Sequence, residues 1–245
     1  ALVGEMGRAS GRRVWVGGNI GRSMLPDLDE IAADDLVVVE LSSFQLEVMT
    51  LSTDVAAILN ITPNHLDRHQ TMDVYKAAKA RLLQYQLDGG VAVLGRDDPG
   101  AWTLGQQVRG RLRAFSCQEV VGDGAFLRGD LLVVGGPSGE LPVCRSGELK
   151  LRGRHNLLNV LAAAALADSA GVPGEAIREA ACSFAGVVHR LELVRELNRA
   201  RWYDDSIATA PERMIAALQA FDEPVVLLAG GRDKHLPWEE AAALI

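Results

Sequence analysis

Residues 37–69 place two apolar runs in close succession, each broken off by polar residues, and few folds accommodate that pattern. Val37-Val38-Val39 is β-branched and stops at Glu40, while residues 55–61 form a second run that stops at Thr62-Pro63-Asn64-His65. Short apolar runs without polar alternation read as parallel strands buried on both faces of a doubly wound α/β sheet. In such sheets the ligand crevice lies just past the carboxyl ends of the strands. The pattern therefore predicts that Glu40 and His65 share one cleft.

A core of this type needs apolar mass, and the 245 residues supply it: 48% are hydrophobic and 5% aromatic. That is enough for one large or two medium domains. The formal charge of -7 includes no basic block, which argues against nucleic acid as a partner and leaves a nucleotide only as a small molecule. No run approaches the roughly 18 apolar residues of a membrane span, so no membrane is expected. Cys117, Cys144 and Cys182 are few, odd in number and far apart in sequence. This is the pattern of free thiols in a reducing compartment rather than of disulfides or a zinc site, and the expected location is cytoplasmic. There is no initiator Met, residues 1–9 read as the later part of a helix, and residues 238–245 read as a helix cut short. The chain is accordingly expected to be an internal piece of a longer protein.

Local signals predict the remaining elements. The opening helix ends at Ser10-Gly11, and residues 13–16 form a short strand entering the loop Gly17-Gly18-Asn19-Ile20-Gly21. Glycines so spaced suit either a tight turn or a close approach of backbone to a ligand. Thr71 is placed to cap a helix running to about Leu87, which carries Tyr75, Lys79 and Arg81. Residues 91–94 and 112–116 read as strands, with a helix begun by Asp97-Asp98-Pro99 between them. From 117 to 151, short apolar segments punctuated by Gly and Pro predict small antiparallel hairpins at a sheet edge. Residues 153–159 open an Ala-rich helix that stops near Gly171 and Pro173, with Asn156 placed as its N-cap, and residues 174–181 form one more helix. A domain boundary is expected near Gly186. Beyond it, strands at 191–197 and 201–203, a helix from Pro211 and a strand at 225–228 predict a second parallel α/β unit. Its ligand face would hold residues 204–209 and 230–234.

Single residues leave the chemistry open. An acidic residue after a buried strand is a frequent magnesium ligand at phosphoryl-transfer sites, because a hard cation takes carboxylate oxygen; Glu40 fits that role and also that of a solvated loop acid. His65, in a Pro-Asn-His-Leu-Asp turn, suits a ligand or a side chain that satisfies loop backbone. Lys79 alone is a solvated lysine on an amphipathic helix, and Arg190, Asp205 and Lys234 alone are exposed loop charges. Their joint appearance, in order, is what narrows the reading.

Glu40-Leu41-Ser42-Ser43-Phe44-Gln45-Leu46-Glu47, then Asn60-Ile61-Thr62-Pro63-Asn64-His65-Leu66-Asp67, then residues 75–81, His155-Asn156 with Asn159, His189-Arg190 and Asp205-Ser206 resemble the Mur ligases. The resemblance covers essentially the whole chain. Within the family, the 17–21 loop and the 40–47 run are most similar to the branch that adds D-glutamate to UDP-N-acetylmuramoyl-L-alanine in peptidoglycan precursor synthesis. The resemblance implies an α/β fold with three domains: one binding the UDP-sugar, a central P-loop-type ATPase with a mostly parallel sheet, and a Rossmann-like C-terminal domain. Residues 1–186 would belong to the second and residues 187–245 to the first part of the third. ATP and magnesium are the implied cofactors, the UDP-sugar and D-glutamate the implied partners, and a monomer is expected.

In that family ATP phosphorylates the substrate carboxylate, the amino group of glutamate attacks the acyl phosphate, and phosphate leaves a tetrahedral intermediate. Such chemistry rests on charge neutralisation and positioning. By resemblance Glu40, His65 and Lys79 hold magnesium, with His65 and Lys79 counted as catalytic. Lys79 matches a lysine that is carbamylated, which turns a cation into hard anionic oxygen on a long stem. Asn156 and Asn159 would contact the nucleotide base, Arg190 and Asp205 its phosphate and ribose side, Asn19 the muramoyl substrate, and Thr209 and Lys234 the incoming glutamate.

Three departures accompany the resemblance. The phosphate-cradling Gly-x-x-x-x-Gly-Lys-Ser/Thr loop is absent from the sequence; the family places it just before the opening helix, so this chain alone is not expected to turn over ATP. The UDP-binding domain and the distal C-terminal part are also missing. Finally, Ile207 and Ala210 stand where the family usually carries Lys and Asn, and an aliphatic side chain cannot bind an anion. The rival readings are a sibling Mur ligase or a folylpolyglutamate synthetase, and a non-catalytic binding protein of the same fold.

Overall fold

A computed structural model describes residues 1–21, 23–63, 66–232 and 236–245, the side chains of Leu66 and Asp67 excepted. Helix α1 (Leu2–Ala9) leads into β1 (Val14–Gly18), and a 3-10 turn (Leu25–Glu30) leads into β2 (Leu36–Glu40). β1 and β2 pair in parallel, from Val14 with Leu36 to Gly18 with Glu40, as a two-stranded sheet of their own. The expectation that residues 37–39 are fully buried is not met: Val37 is 40% exposed, because β2 has one strand neighbour among the described residues and its other edge is uncovered.

A four-residue helix, α2 (Ser43–Leu46), follows, closed by a capping box between Ser42 and Gln45. β3 (Val55–Ile58) is shorter than the apolar run that contains it. Past Ile58 the backbone leaves the sheet, and the Ile61 N–H donates to the Asp98 carboxylate at 3.1 Å instead of to a ladder partner. After α3 (Leu66–His69), Thr71 caps α4 (Met72–Gln84) as expected, its Oγ1 accepting from the Val74 N–H at 3.3 Å. β4 (Val91–Gly95), α5 (Pro99–Trp102), β5 (Arg111–Ser116), β6 (Gly124–Arg128), β7 (Leu131–Gly136) and β8 (Gly139–Arg145) complete one six-stranded sheet in the order β3-β4-β5-β6-β7-β8. Its pairings are parallel from β3 to β6 and antiparallel from β6 to β8, so the expected hairpins do form the sheet edge.

Helices cover both faces, which is the α/β layering expected. Strand periodicity divides β4 between two cores: Val93 packs with α6 (Arg154–Ser169) and α7 (Gly174–Ser183), whereas Ala92 and Leu94 pack with α2, α4 and α5. Buried alanines 162–165 and 167 let α6 approach the sheet closely and run nearly apolar on every side, as a central helix does. Arg113 interrupts the apolar run of β5. It lies 1% exposed in this core, donating to Asp123 Oδ1 (2.8 Å), Asp168 Oδ2 (2.6 Å), Ser169 Oγ (2.8 Å), Gly135 O (2.9 Å) and Ala165 O (3.2 Å). Cys144 and Cys182, far apart in sequence, meet between β8 and α7, and burial pushes the Cys144 thiol up to about 12, the setting of an inert core thiol.

Asn156 does not cap α6. The helix opens at Arg154 behind Gly153, whose φ of +85° turns the chain, and Asn156 lies inside the first turn with its Nδ2 donating to Arg152 O at 2.7 Å. Beyond Gly186, β9 (Glu192–Leu197) and β10 (Ala200–Asp204) form an antiparallel hairpin through Asn198 and Arg199, whose φ values of 52° and 65° suit a two-residue primed turn. α8 (Pro211–Leu218) and α9 (Glu239–Ala243) follow. Residues 225–228 are not a strand, and the second parallel unit is not formed among the described residues: Val226 is 89% and Leu228 82% exposed. An apolar run becomes a strand only where another strand pairs with its N–H and C=O groups, and none described here does. The hairpin region instead meets the loop before α6, where the Arg152 guanidinium lies 5.7 Å from the Tyr203 ring and 5.3 Å from the Phe221 ring and pairs with Glu223 at 3.1 Å. No described helix is long and apolar enough to cross a membrane.

Candidate functional site

The carboxyl ends of β1 and β2 are tied together at Glu40. Gly18, at φ +98°, brings its Cα so close to β2 that a Cβ would lie 2.2 Å from Glu40 O, which settles why a glycine stands there. The next residue, Asn19, donates its N–H to Glu40 O at 2.7 Å and its Nδ2 to Glu40 Oε1 at 3.3 Å. Two of the expected site residues, Asn19 and Glu40, are thus brought together with the carboxylate exposed at the strand end.

A second group gathers around the amino end of α1. Glu40 and Arg190 both lie within electrostatic reach of that helix end. Arg190 in turn acts on His155 and on Asp205. Asp205 accepts the Leu191 N–H at 3.0 Å, and burial lifts its carboxyl above the ordinary range against the pull of that hydrogen bond and of Arg190, His155 and Arg213. His155 is pushed down by burial, opposed by Asp205. His155 and Arg213 were not singled out as acting with Asp205; one begins a helix and the other lies on α8, and only folding makes them neighbours.

Lys79 sits on α4, half-buried, with Nζ 5.1 Å from the centre of the Tyr75 ring four residues earlier. Burial pushes its ammonium pKa down and the Asp98 carboxylate pulls part of that shift back. Asp98 Oδ1 accepts from both Ala101 N (2.6 Å) and Ile61 N (3.1 Å), so one acid caps α5, fixes the start of the loop after β3 and faces Lys79. Its sequence signal was that of a helix start, which is only the first of these roles. Among the described residues no ion pair engages Lys79, and no hydrogen bond or ion pair joins it to Glu40.

The other expected contacts are dispersed. Asn159 Nδ2 donates to Asn156 Oδ1 at 3.2 Å, so these two residues are adjacent but partly engaged with one another. Thr209 is exposed, and the carbonyl of Ile207 accepts from Arg213 Nη1 at 3.1 Å. His65 and Lys234, and with His65 the cleft expected for it and Glu40, lie outside the described residues; β2 and β3 themselves stand in separate sheets. His189, Glu192 and Asp204 bring three metal-type ligand atoms within 4.8 Å of one another. Hydrogen bonds already account for the group: His189 Nδ1 to Asp204 Oδ2 at 2.7 Å, and the His189 N–H to Glu192 Oε2 at 2.8 Å.

Comparison with known proteins bears on this arrangement. The profile of the Mur ligase middle domain matches residues 23–167. UDP-N-acetylmuramoylalanine--D-glutamate ligase of Clostridium kluyveri is 43% identical over 233 residues, which is 95% of this chain and 50% of that protein. The protein of the same description from Symbiobacterium thermophilum is 42% identical over 246 residues, 100% of this chain and 54% of its own length. The chain thus spans about half the length of the curated relatives it matches. Among solved structures, a UDP-N-acetylmuramoyl-L-alanyl-D-glutamate--2,6-diaminopimelate ligase superposes with a TM-score of 0.68 at 22% identity, over 89% of this chain and 50% of the other, a likeness of fold. With the profile covering more than half of its residues and the sheet, the capped α2 turn and the α1 end set as described, the chain belongs to the Mur ligase family.

Proposed function

We propose that this chain carries the nucleotide and magnesium side of a ligase that joins D-glutamate to UDP-N-acetylmuramoyl-L-alanine with consumption of ATP. The observation that carries the reading is the alignment, at 40–43% identity along nearly the whole chain, with relatives described as that ligase. On this reading residues 1–186 are the central ATPase domain and residues 187–245 the start of the C-terminal domain, in a cytoplasmic enzyme.

The described side chains fit magnesium. Glu40 offers hard carboxylate oxygen at an exposed strand end. Lys79, whose charged form burial disfavours, would become an anionic carbamate by capturing carbon dioxide. With His65 these residues would hold the cation, which when bound neutralises charge on the two anions that must meet. The amino end of α1, with its partial positive charge, and Arg190 beside it would draw the nucleotide phosphates. Asp205 and the Asn156–Asn159 pair would orient the ribose and base, and Asn19, fixed to Glu40, would present the muramoyl carboxylate. Thr209 and Lys234 would receive the glutamate. Ile207 offers no charge at its position, and Arg213 donates to the Ile207 carbonyl beside it.

The test is phosphate release by the full-length gene product with ATP, magnesium and UDP-N-acetylmuramoyl-L-alanine, comparing D-glutamate with L-glutamate, L-lysine and diaminopimelate. Release that depends on D-glutamate is the expected result. Release with another amino acid would move the protein to a sibling ligase, and no release with any would favour a binding protein of the same fold.

A further inference from the structure

His69 is a buried, unused polar residue with an unusual set of neighbours. It ends α3, is 1% exposed, and has Nε2 2.8 Å from Ser43 Oγ. Its ring stacks on Phe44 at 5.4 Å and 10° and tilts against Tyr75 at 5.1 Å and 51°. Nδ1 lies 3.1 Å from Glu47 Oε1, close enough for an ion pair but off the line of a hydrogen bond, so it remains a buried nitrogen without a hydrogen-bond partner among the described residues. Burying an imidazole on these terms is costly, and a hydrocarbon side chain would fill the same space without that cost.

His69 and its neighbours belong to three different segments, and each segment carries one of the proposed magnesium ligands. Ser43 follows Glu40 by three residues at the head of α2. His69 itself follows His65 by four residues in sequence. Tyr75 precedes Lys79 by one turn of α4 and supports its amine at 5.1 Å. A ligand set drawn from three separate segments has no covalent link to hold its spacing, so some side chain must hold the segments together.

We infer that His69 is a positioning residue for the magnesium site, a buried pin whose hydrogen bond to Ser43 and ring contacts with Phe44 and Tyr75 set the spacing of the Glu40 and Lys79 segments. The inference rests on the ligase reading above. His69 touches neither cation nor substrate in this role; it acts through Ser43 and Tyr75. The hydrogen bond to Ser43 and the stack on Phe44 set the distance between α2 and α3, and the Tyr75 contact sets the distance of α3 from α4.

The test uses the full-length gene product and reads metal binding directly, as free Mn2+ followed by electron paramagnetic resonance in the presence of a non-hydrolysable ATP analogue. Ser43→Ala removes one hydroxyl and leaves the packing in place; His69→Phe keeps the stack and loses Nε2. Both variants are expected to bind Mn2+ about tenfold or more weakly than the parent at temperatures where each is folded; Ser43→Ala also lowers the melting temperature, since it leaves the buried Nε2 unpaired. His69→Gln, which can still reach Ser43 with a polar group, is expected to recover part of the loss. If His69→Phe does not fold, Ser43→Ala decides. Affinity within twofold of the parent for Ser43→Ala would overturn the pin while leaving the ligase reading in place; a parent protein that binds no Mn2+ with nucleotide would overturn the ligase reading, and the pin with it.

Discussion

A lysine that is half-buried and faces an aromatic ring has lost hydration without gaining an ion pair among the described residues, and that is the physical signature of Lys79. Lys79→Ala in the full-length protein is expected to abolish phosphate release, with no rescue by bicarbonate; unimpaired turnover would remove Lys79 from the site. Arg113 makes the opposite kind of residue-scale statement. All its contacts are internal, to two acids, one hydroxyl and two carbonyls. Arg113→Met leaves the buried carbonyls unpaired and is expected to cost about 3 to 5 kcal/mol of stability, read by denaturant unfolding. Lys79 was legible as a motif residue, because the run from Tyr75 to Arg81 carries the family pattern. Neither Arg113 nor His69 was, since a polar side chain gives no periodic signal that it will be buried.

At the scale of elements, the end of β1 depends on Gly18. An alanine there would combine a positive φ of +98° with a Cβ 2.2 Å from the Glu40 carbonyl. Gly18→Ala is therefore expected to cost about 2 kcal/mol or more, to part β1 from β2 at the Glu40 end, and to lower phosphate release beyond what the lost stability explains; melting and turnover measured together separate the two effects. The β9–β10 hairpin carries a pH-dependent clamp. Its hydrogen bond to Asp204 raises the His189 pKa above 6.5, and the same bond draws Asp204 down from 3.8 to about 2. The Asp204 share of the stability is present above 3.8 and is lost as pH falls through about 2; the His189 share is present below 6.5 and is lost as pH rises through the raised value. The clamp is at full strength between those limits. From about pH 5 to about pH 8 the parent should lose melting temperature relative to Asp204→Asn, and parallel curves for the two proteins would show that the clamp contributes nothing. The strands, the capped α4 and the edge hairpins were readable because β-branched runs, Thr71 and the Gly-Pro punctuation act locally. The start of α6 was misread because Gly153 turns the chain through backbone geometry that a capping asparagine would otherwise have signalled.

For the molecule as a whole, the body and the segment beyond Gly186 differ in how much of their apolar sequence finds a partner. Helices cover both faces of the six-stranded sheet, whereas Val226 and Leu228 face solvent at 89% and 82% exposure. Val226→Lys in the 245-residue chain is expected to change stability by no more than about 0.5 kcal/mol; a loss of several times that would mean the segment is packed as the strand its composition suggests. Sequence alone determined the α/β class, the family and the order of the elements through α8 apart from the short helices α2 and α3, because these follow from local periodicity, capping and ordered motifs. Tertiary structure decided which strands pair, that β2 and β3 stand in separate sheets, that Arg113 and His69 are buried, and that Arg190, Asp205 and His155 meet near the end of α1. Those outcomes depend on desolvation and on hydrogen-bond partners supplied by distant segments, and a single stretch of sequence carries no record of its partners.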